Sequence, residues 1–231
     1  MLSLPRLILP VALAATSLAI AAPASADVTG TTSTQDVVLL DHCQRHPISY
    51  DLAVSPGTLL WRLEVQVADP LGRTSEGTVI NSSTNPTTSG TVEVTFCGSE
   101  PAGTYTVRAT GFYELLPVVQ LPFALPETSF EVRPAATRTT LSTTSLGHGR
   151  YLLTAKVRKE TERGFGRANG VQVRLERLVS GTWKRVRGLA LTATHGRAVA
   201  RVDGRPGQRL RAVVTARNNV AGSTSAPVRL R

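Results

Sequence analysis

Beyond residue 26 the chain is a succession of short runs in which apolar and polar residues alternate, and this pattern removes most folds from consideration. Trp61, Leu63, Val65 and Val67 share one side of such a run, while Arg62, Glu64 and Gln66 share the other. A half-buried strand requires this, because successive side chains point to opposite faces. Tyr151, Leu153, Ala155 and Val157 repeat the pattern against Lys156 and Arg158, and Val171, Val173 and Leu175 repeat it against Arg174. Leu210, Ala212, Val214 and Ala216 do so against Arg209, Arg211 and Arg217. No segment holds an apolar period of 3.6 residues long enough for a helix. The chain is expected to be all-β.

Strands are expected near Asp36 to Asp41, Pro47 to Val54, Leu59 to Ala68, Glu76 to Ile80, Thr91 to Phe96, Gly103 to Phe112 and Thr128 to Val132. A second set falls near Arg138 to Thr143, Tyr151 to Arg158, Val171 to Leu178, Thr182 to Val186, Leu189 to Thr192, Gly196 to Val202, Arg209 to Ala216 and Ala226 to Leu230. Two such sets fit two tandem sandwiches. Charge divides the chain at the same place. Residues 27–133 carry five Arg against twelve Asp and Glu, net −7, whereas residues 134–231 carry twenty Lys and Arg against four acids, net +16. The expected organisation is a signal peptide over 1–26, an acidic sandwich over 27–133 and a strongly basic one over 134–231. The connection at Arg133-Pro134-Ala135-Ala136 is one that few contacts need cross.

Arg6, the apolar run Leu7 to Ala22 and the Ala24-Ser25-Ala26 site read as a cleaved secretory signal, since about 16 apolar residues are too few to span a bilayer. The product is expected to be secreted and extracellular, with no membrane span. Cys43 and Cys97 are the two cysteines of the sequence, and in an exported chain an even, small number favours a structural disulfide. Asp41-His42-Cys43-Gln44-Arg45-His46 also offers metal-type ligands, but a Cys held in a disulfide cannot serve as a thiolate, so no metal site is expected.

Pro101-Ala102-Gly103-Thr104-Tyr105-Thr106-Val107 resembles the entry to the sixth strand of immunoglobulin-like domains, which implies that the Tyr105 hydroxyl caps that corner. Trp61 resembles the core Trp of the same sandwich. Val107 stands where an antibody domain has its second Cys. Cys43 and Cys97 fall at one pole of a seven-strand sandwich instead, after the first strand and at the end of the fifth. In the basic half, Gly170-Val171-Gln172-Val173-Arg174-Leu175, Gly181-Thr182-Trp183 and Ser225-Ala226-Pro227-Val228 resemble bacterial immunoglobulin-like domains of exported actinobacterial proteins. That resemblance covers most of residues 137–231. It implies a fold and carries no catalytic residue.

Chemistry leaves little trace. There is no G-x-S-x-G elbow, H-E-x-x-H, Walker loop or dinucleotide fingerprint, so neither an enzyme nor a cofactor is expected. His148 and His195 sit beside glycines at expected turn tips. A charge of +16 on fewer than a hundred residues exceeds the roughly 2–8 that solubility asks of a small domain. Alternation places Arg174, Arg209, Arg211 and Arg217 on solvent faces, where they could bind an anionic envelope or extracellular polymer. The plainer account is an Arg-rich surface that only solubilises. Leu115 to Pro126, with three prolines among apolar residues, is expected as an extended edge or loop that covers the open side of the core or packs against the second domain, and if exposed it is a protein-binding edge. The rival function is a loop-based extracellular hydrolase or hydrolase inhibitor using Asn81 to Gly90 and Glu160 to Asn169.

Overall fold

The computed structural model describes residues 28–116 and 119–231. The expected signal segment lies outside the described residues, as do Pro117 and Val118. Among the described residues every regular element is a strand, and no helix is long and apolar enough to cross a membrane.

The acidic half contains β1 (Thr29–Ser33), β2 (Val37–Leu39), β3 (Gln44–Ala53), β4 (Leu60–Ala68), β5 (Thr74–Asn81), β6 (Ser89–Phe96), β7 (Gly103–Leu116), β8 (Val119–Ala124) and β9 (Thr128–Pro134). One sheet runs β1-β3-β6 and the other β2-β9-β7-β4-β5, with β8 paired to β7 as well. The single parallel pair described is β2 with β9. Trp61, Leu63, Val65 and Val67 of β4 point into the core, as their alternation requires. The corner residue is also as expected. The Tyr105 hydroxyl donates to the Pro101 carbonyl at 2.9 Å, and its ring packs on Phe96 and Phe130. Burial is the main reason the Tyr105 phenol is pushed up to about 12, with Glu100 and Asp69 adding to it.

Cys43 and Cys97 form a disulfide with Cα atoms 4.0 Å apart. They lie one residue beyond the paired ends of β3 and β6, where Gln44 faces Phe96. The bridge thus locks two neighbouring strands of one sheet. Closing a loop of this length stabilises the fold by about 4 kcal/mol in the chain-entropy model.

The expected strand set of the acidic half lacks β1, and it leaves open whether the β8 segment is an extended edge or a loop. β1 is polar (TGTTS) and joins the sheet through its backbone to β3. β8 occupies much of the proline-containing segment and pairs with the upper part of β7, while β9 pairs with the lower part. Leu121 and Phe123 of β8 rest against the core, and Val119 is 48% exposed. β8 is therefore an edge strand, the position that tolerates proline.

The basic half contains β10 (Thr137–Gly147), β11 (Arg150–Thr161), β12 (Gly164–Arg167), β13 (Gln172–Val179), β14 (Thr182–Arg185), β15 (Leu191–Thr192), β16 (Arg197–Asp203), β17 (Arg209–Val214), β18 (Ser223–Thr224) and β19 (Val228–Arg229). β10, β12 and β16 all pair with β11, and β14, β15 and β17 all pair with β13, with β18 and β19 on β17. The inner faces of the two sheets close on a core that includes Tyr151, Leu153, Val173, Leu175, Leu210 and Ala212. This core is separate from that of the acidic half. Several hairpins turn through paired residues at positive φ, Ser180-Gly181 and His195-Gly196 among them. Such turns match the right-handed twist of the flanking strands.

Three details differ from expectation. Glu160 to Asn169 is mostly the β11-β12 hairpin. β17 ends at Val214, so Ala216 is exposed and Arg217 sits in a turn closed on Val220. The expected final strand, Ala226 to Leu230, is reduced to the two residues of β19, and the short β18 precedes it.

The junction is more heavily bonded than a simple linker. Ala135 is fully buried and bridges Val220, and the Ala221 N–H donates to the Ala135 carbonyl at 2.9 Å. Arg133 grips both carboxylate oxygens of Glu160, at 2.8 and 2.9 Å. The Lys159 ammonium, 4% exposed, donates to Asp41 at 2.5 Å. Asn219 also donates to Asp41, at 3.0 Å, and His42 meets Glu162 at 3.2 Å.

Candidate anion-binding surfaces

The outer face of the β11 sheet gathers charge by register. β11 pairs with β10 along one side, and along the other it passes from β16 to β12 between Lys156 and Arg158. Arg138, Arg158 and Arg167 therefore stand in one row across three strands. In the next row Thr140, Lys156 and Arg197 stand side by side. Directly opposed residues share a face, and neighbouring strands lie roughly 5 Å apart, so these cations are well inside a Debye length of about 8 Å. Like charges so placed destabilise the sheet.

These side chains, with His195 at its turn tip, line a groove of about 510 Å³ with no carboxylate in its wall. The groove opens at the seam where β16 gives way to β12. Gly196 makes that seam close. At φ +77° it holds a conformation that side chains disfavour, and a Cβ there would lie 3.1 Å from both the Val157 carbonyl oxygen and the Arg167 Cβ. The Asn169 side-chain oxygen accepts the His195 N–H at 2.6 Å and fixes the turn. Arg138 stacks its guanidinium 3.9 Å from the centre of the Phe165 ring, and Arg158 donates to the Phe165 carbonyl. Both arginines are thus held in place in the groove wall. The nearest acids are engaged elsewhere, Glu160 by Arg133 and Glu162 by His42.

Alternation showed that Lys156 and Arg158 point outward, but not that three further arginines from distant strands join them. Register was the missing information.

The four arginines expected as a site lie on the outer face of the other sheet, or at its end, and fall into two groups. Arg174 and Arg217, with Arg185, line a crevice of about 300 Å³ whose wall also includes Gln172 and Thr215. Arg209 lies opposite Arg229 at the far end of β17. Arg211 is not a free surface charge. It pairs with Glu176 at 2.7 Å and stacks 4.4 Å from the centre of the Trp183 ring, while Arg174 takes the other Glu176 oxygen at 3.0 Å. The Glu176 side chain is 10% exposed. Its burial beside Leu175 breaks the strict alternation of β13.

The acidic half has a larger surface concavity, about 690 Å³, lined by Arg62, Glu64, Phe112, Pro122 and Phe123 among others. Its two charges are of opposite sign. The Asn81 to Gly90 loop is tied both internally and to β3: the Asn81 side-chain oxygen accepts the Thr84 N–H at 2.9 Å, and Asn85 donates to the Tyr50 hydroxyl at 2.8 Å. His46 is half-buried against Phe96 and Phe130, and that partial burial lowers its pKa. Among the described residues no three His, Cys, Asp or Glu side chains come together as a metal-holding group.

No family model matches the chain, and no curated protein is significantly similar to it in sequence. Among solved structures it is similar to alpha-2-macroglobulin of Salmonella, as the Y1175G mutant, with 12% identity and a TM-score of 0.29. It is also similar to trypsin-activated alpha-2-macroglobulin from Escherichia coli, with 11% identity and a TM-score of 0.31. These matches cover 87% and 88% of this chain but 14% and 15% of those proteins.

Proposed function

We propose that this is an exported, non-enzymatic binding protein whose basic half holds a linear anionic polymer of the cell envelope or extracellular space in the groove on the outer face of β11. The observation that carries the reading is the row Arg138-Arg158-Arg167 beside the pair Lys156-Arg197, a grid of like charges with no acid in its wall. A surface that only solubilises gains nothing from setting its cations against each other. An oxyanion between them turns that repulsion into attraction, and the arginine forks suit phosphate or carboxylate.

The polymer is recognised by charge and not by bases. Phe165 and Trp183 are each covered by an arginine, which leaves these rings unavailable as stacking platforms. The field of the basic half adds long-range steering toward such a polymer.

The test is salt-dependent binding of the full chain to polyphosphate and to polygalacturonate. Affinity should fall steeply as salt rises, and Lys156→Glu with Arg197→Glu should weaken it and flatten the salt dependence. Both side chains are exposed and sit among like charges, so the variant should melt no lower than the wild type. Salt-insensitive or absent binding to both polymers contradicts the proposal. Tighter binding of single-stranded DNA than of polyphosphate of equal charge contradicts the base-independent mode.

A further inference from the structure

The second cationic surface, around Arg174, Arg185 and Arg217, lies on the other sheet of the same sandwich. We propose that it is an independent anion site and that one chain consequently bridges two separate polymer strands. This rests on the reading that the β11 groove takes such polymers.

The geometry follows from the core. Tyr151, Leu153 and Ala155 of β11 are buried against Val173 and Leu175 of β13 and Leu210 of β17, so the outer faces of the two sheets look in opposite directions. Packed sheets lie roughly 10 Å apart, and the side chains add to that separation. The two charge clusters therefore face solvent on opposite sides of the sandwich, and each offers its own surface to a ligand. A stiff polymer lying in the groove cannot reach the crevice without turning around a sheet edge. A second strand can occupy it directly.

The crevice itself suits an oxyanion. Arg174, Arg185 and Arg217 converge on about 300 Å³ with no carboxylate in the wall, and Thr215 adds a hydroxyl. Glu176 stands on the same face, opposite Arg185 and Arg211, outside the crevice wall, and orients Arg174 and Arg211 by pairing with both. The arginine fork recognises phosphate and carboxylate alike, so polymers bearing either group are candidate ligands.

The experiment titrates the full chain with a short oligophosphate, and separately with an oligogalacturonate, by calorimetry. The productive arm identifies the oxyanion. Two oligomers should bind per wild-type chain. One should bind per chain when the crevice carries Arg174→Gln, Arg185→Glu and Arg217→Glu, and one when the groove carries Lys156→Glu, Arg167→Glu and Arg197→Glu. With long polymer the wild type should form turbid, cross-linked complexes, and either triple variant should bind without turbidity. Cooperative melting shows that the variants are folded. A wild-type stoichiometry of one, unaffected by the crevice-side changes, overturns the second site and leaves the groove standing. No binding of either oligomer by the wild type overturns both.

Discussion

Arg133 and Glu160 meet across the junction in a two-pronged contact, with Nη1 and Nη2 of the guanidinium donating to the two carboxylate oxygens at 2.8 and 2.9 Å. The Ala136 N–H donates to the same carboxylate at 3.0 Å. Arg133 first, and then this backbone donor, pull the Glu160 pKa from an ordinary 4.5 down to about 2. One carboxylate therefore ties the last strand of the acidic half and the connecting residues to β11.

A folded pKa below the unfolded value means that the contact stabilises fully above about 4.5 and is lost as pH falls from there through about 2. Arg133 is 49% exposed, so solvent screens the pair and its contribution is about 1 kcal/mol at most. Glu160→Gln should lower stability near neutral pH by that amount and leave it unchanged at pH below 2. Denaturant melts of both proteins across this range check the point. A constant gap throughout contradicts it.

Reduction of Cys43–Cys97, or its replacement by two alanines, should cost about 4 kcal/mol in the chain-entropy model. Thiol titration of denatured, unreduced protein should find no free sulfhydryl. The loss should appear as earlier unfolding of the acidic half, followed by Trp61 fluorescence. Unchanged stability after reduction counts against the assignment of the bridge as a structural staple.

Lys159 was legible in principle. It continues the inward series Tyr151, Leu153, Ala155, Val157, but the expected strand stopped at Arg158, where the charged run begins. Asp41→Ala leaves its buried ammonium without that carboxylate, whereas Lys159→Met removes the charge at similar volume. The Asp41 change should therefore cost more, by about 1–2 kcal/mol, even though Asp41 is the exposed partner. Chemical denaturation of the two variants decides the order. Greater damage from Lys159→Met would show that the pair, and not the buried charge, governs the junction.

What alternation reveals is which way a side chain points; what it hides is which side chain stands opposite. Trp61 and the Val173-Leu175 face were readable because burial in a sandwich has a period of two, and Tyr105 was readable from the resemblance of its flanking residues to an immunoglobulin-like strand entry. β1 was missed because its sequence is polar and its pairing is made through the backbone. The groove was missed for a different reason. Arg138, Arg158, Arg167 and Arg197 come from four strands, and their meeting depends on pairing that no local pattern encodes. Arg211 failed in the same way, since Glu176 and Trp183 come to it across strands.

Arg209 and Arg211 alternate identically with Leu210, yet the structure assigns them different consequences. Arg209 is exposed at the end of β17 opposite Arg229, so Arg209→Glu should change stability by no more than about 0.5 kcal/mol. Arg211 shields a nearly buried Glu176 and lies over Trp183. Arg211→Glu would set a second carboxylate beside the first with Arg174 as the remaining cation, and should cost about 2–4 kcal/mol. Thermal melts of the two single variants separate the cases. The comparison also guards any binding experiment on this face: weaker polymer binding by Arg209→Glu reports lost charge, whereas weaker binding by Arg211→Glu includes damage to the sheet. Equal stability of the two variants would mean that the Glu176 pairing contributes nothing to the fold.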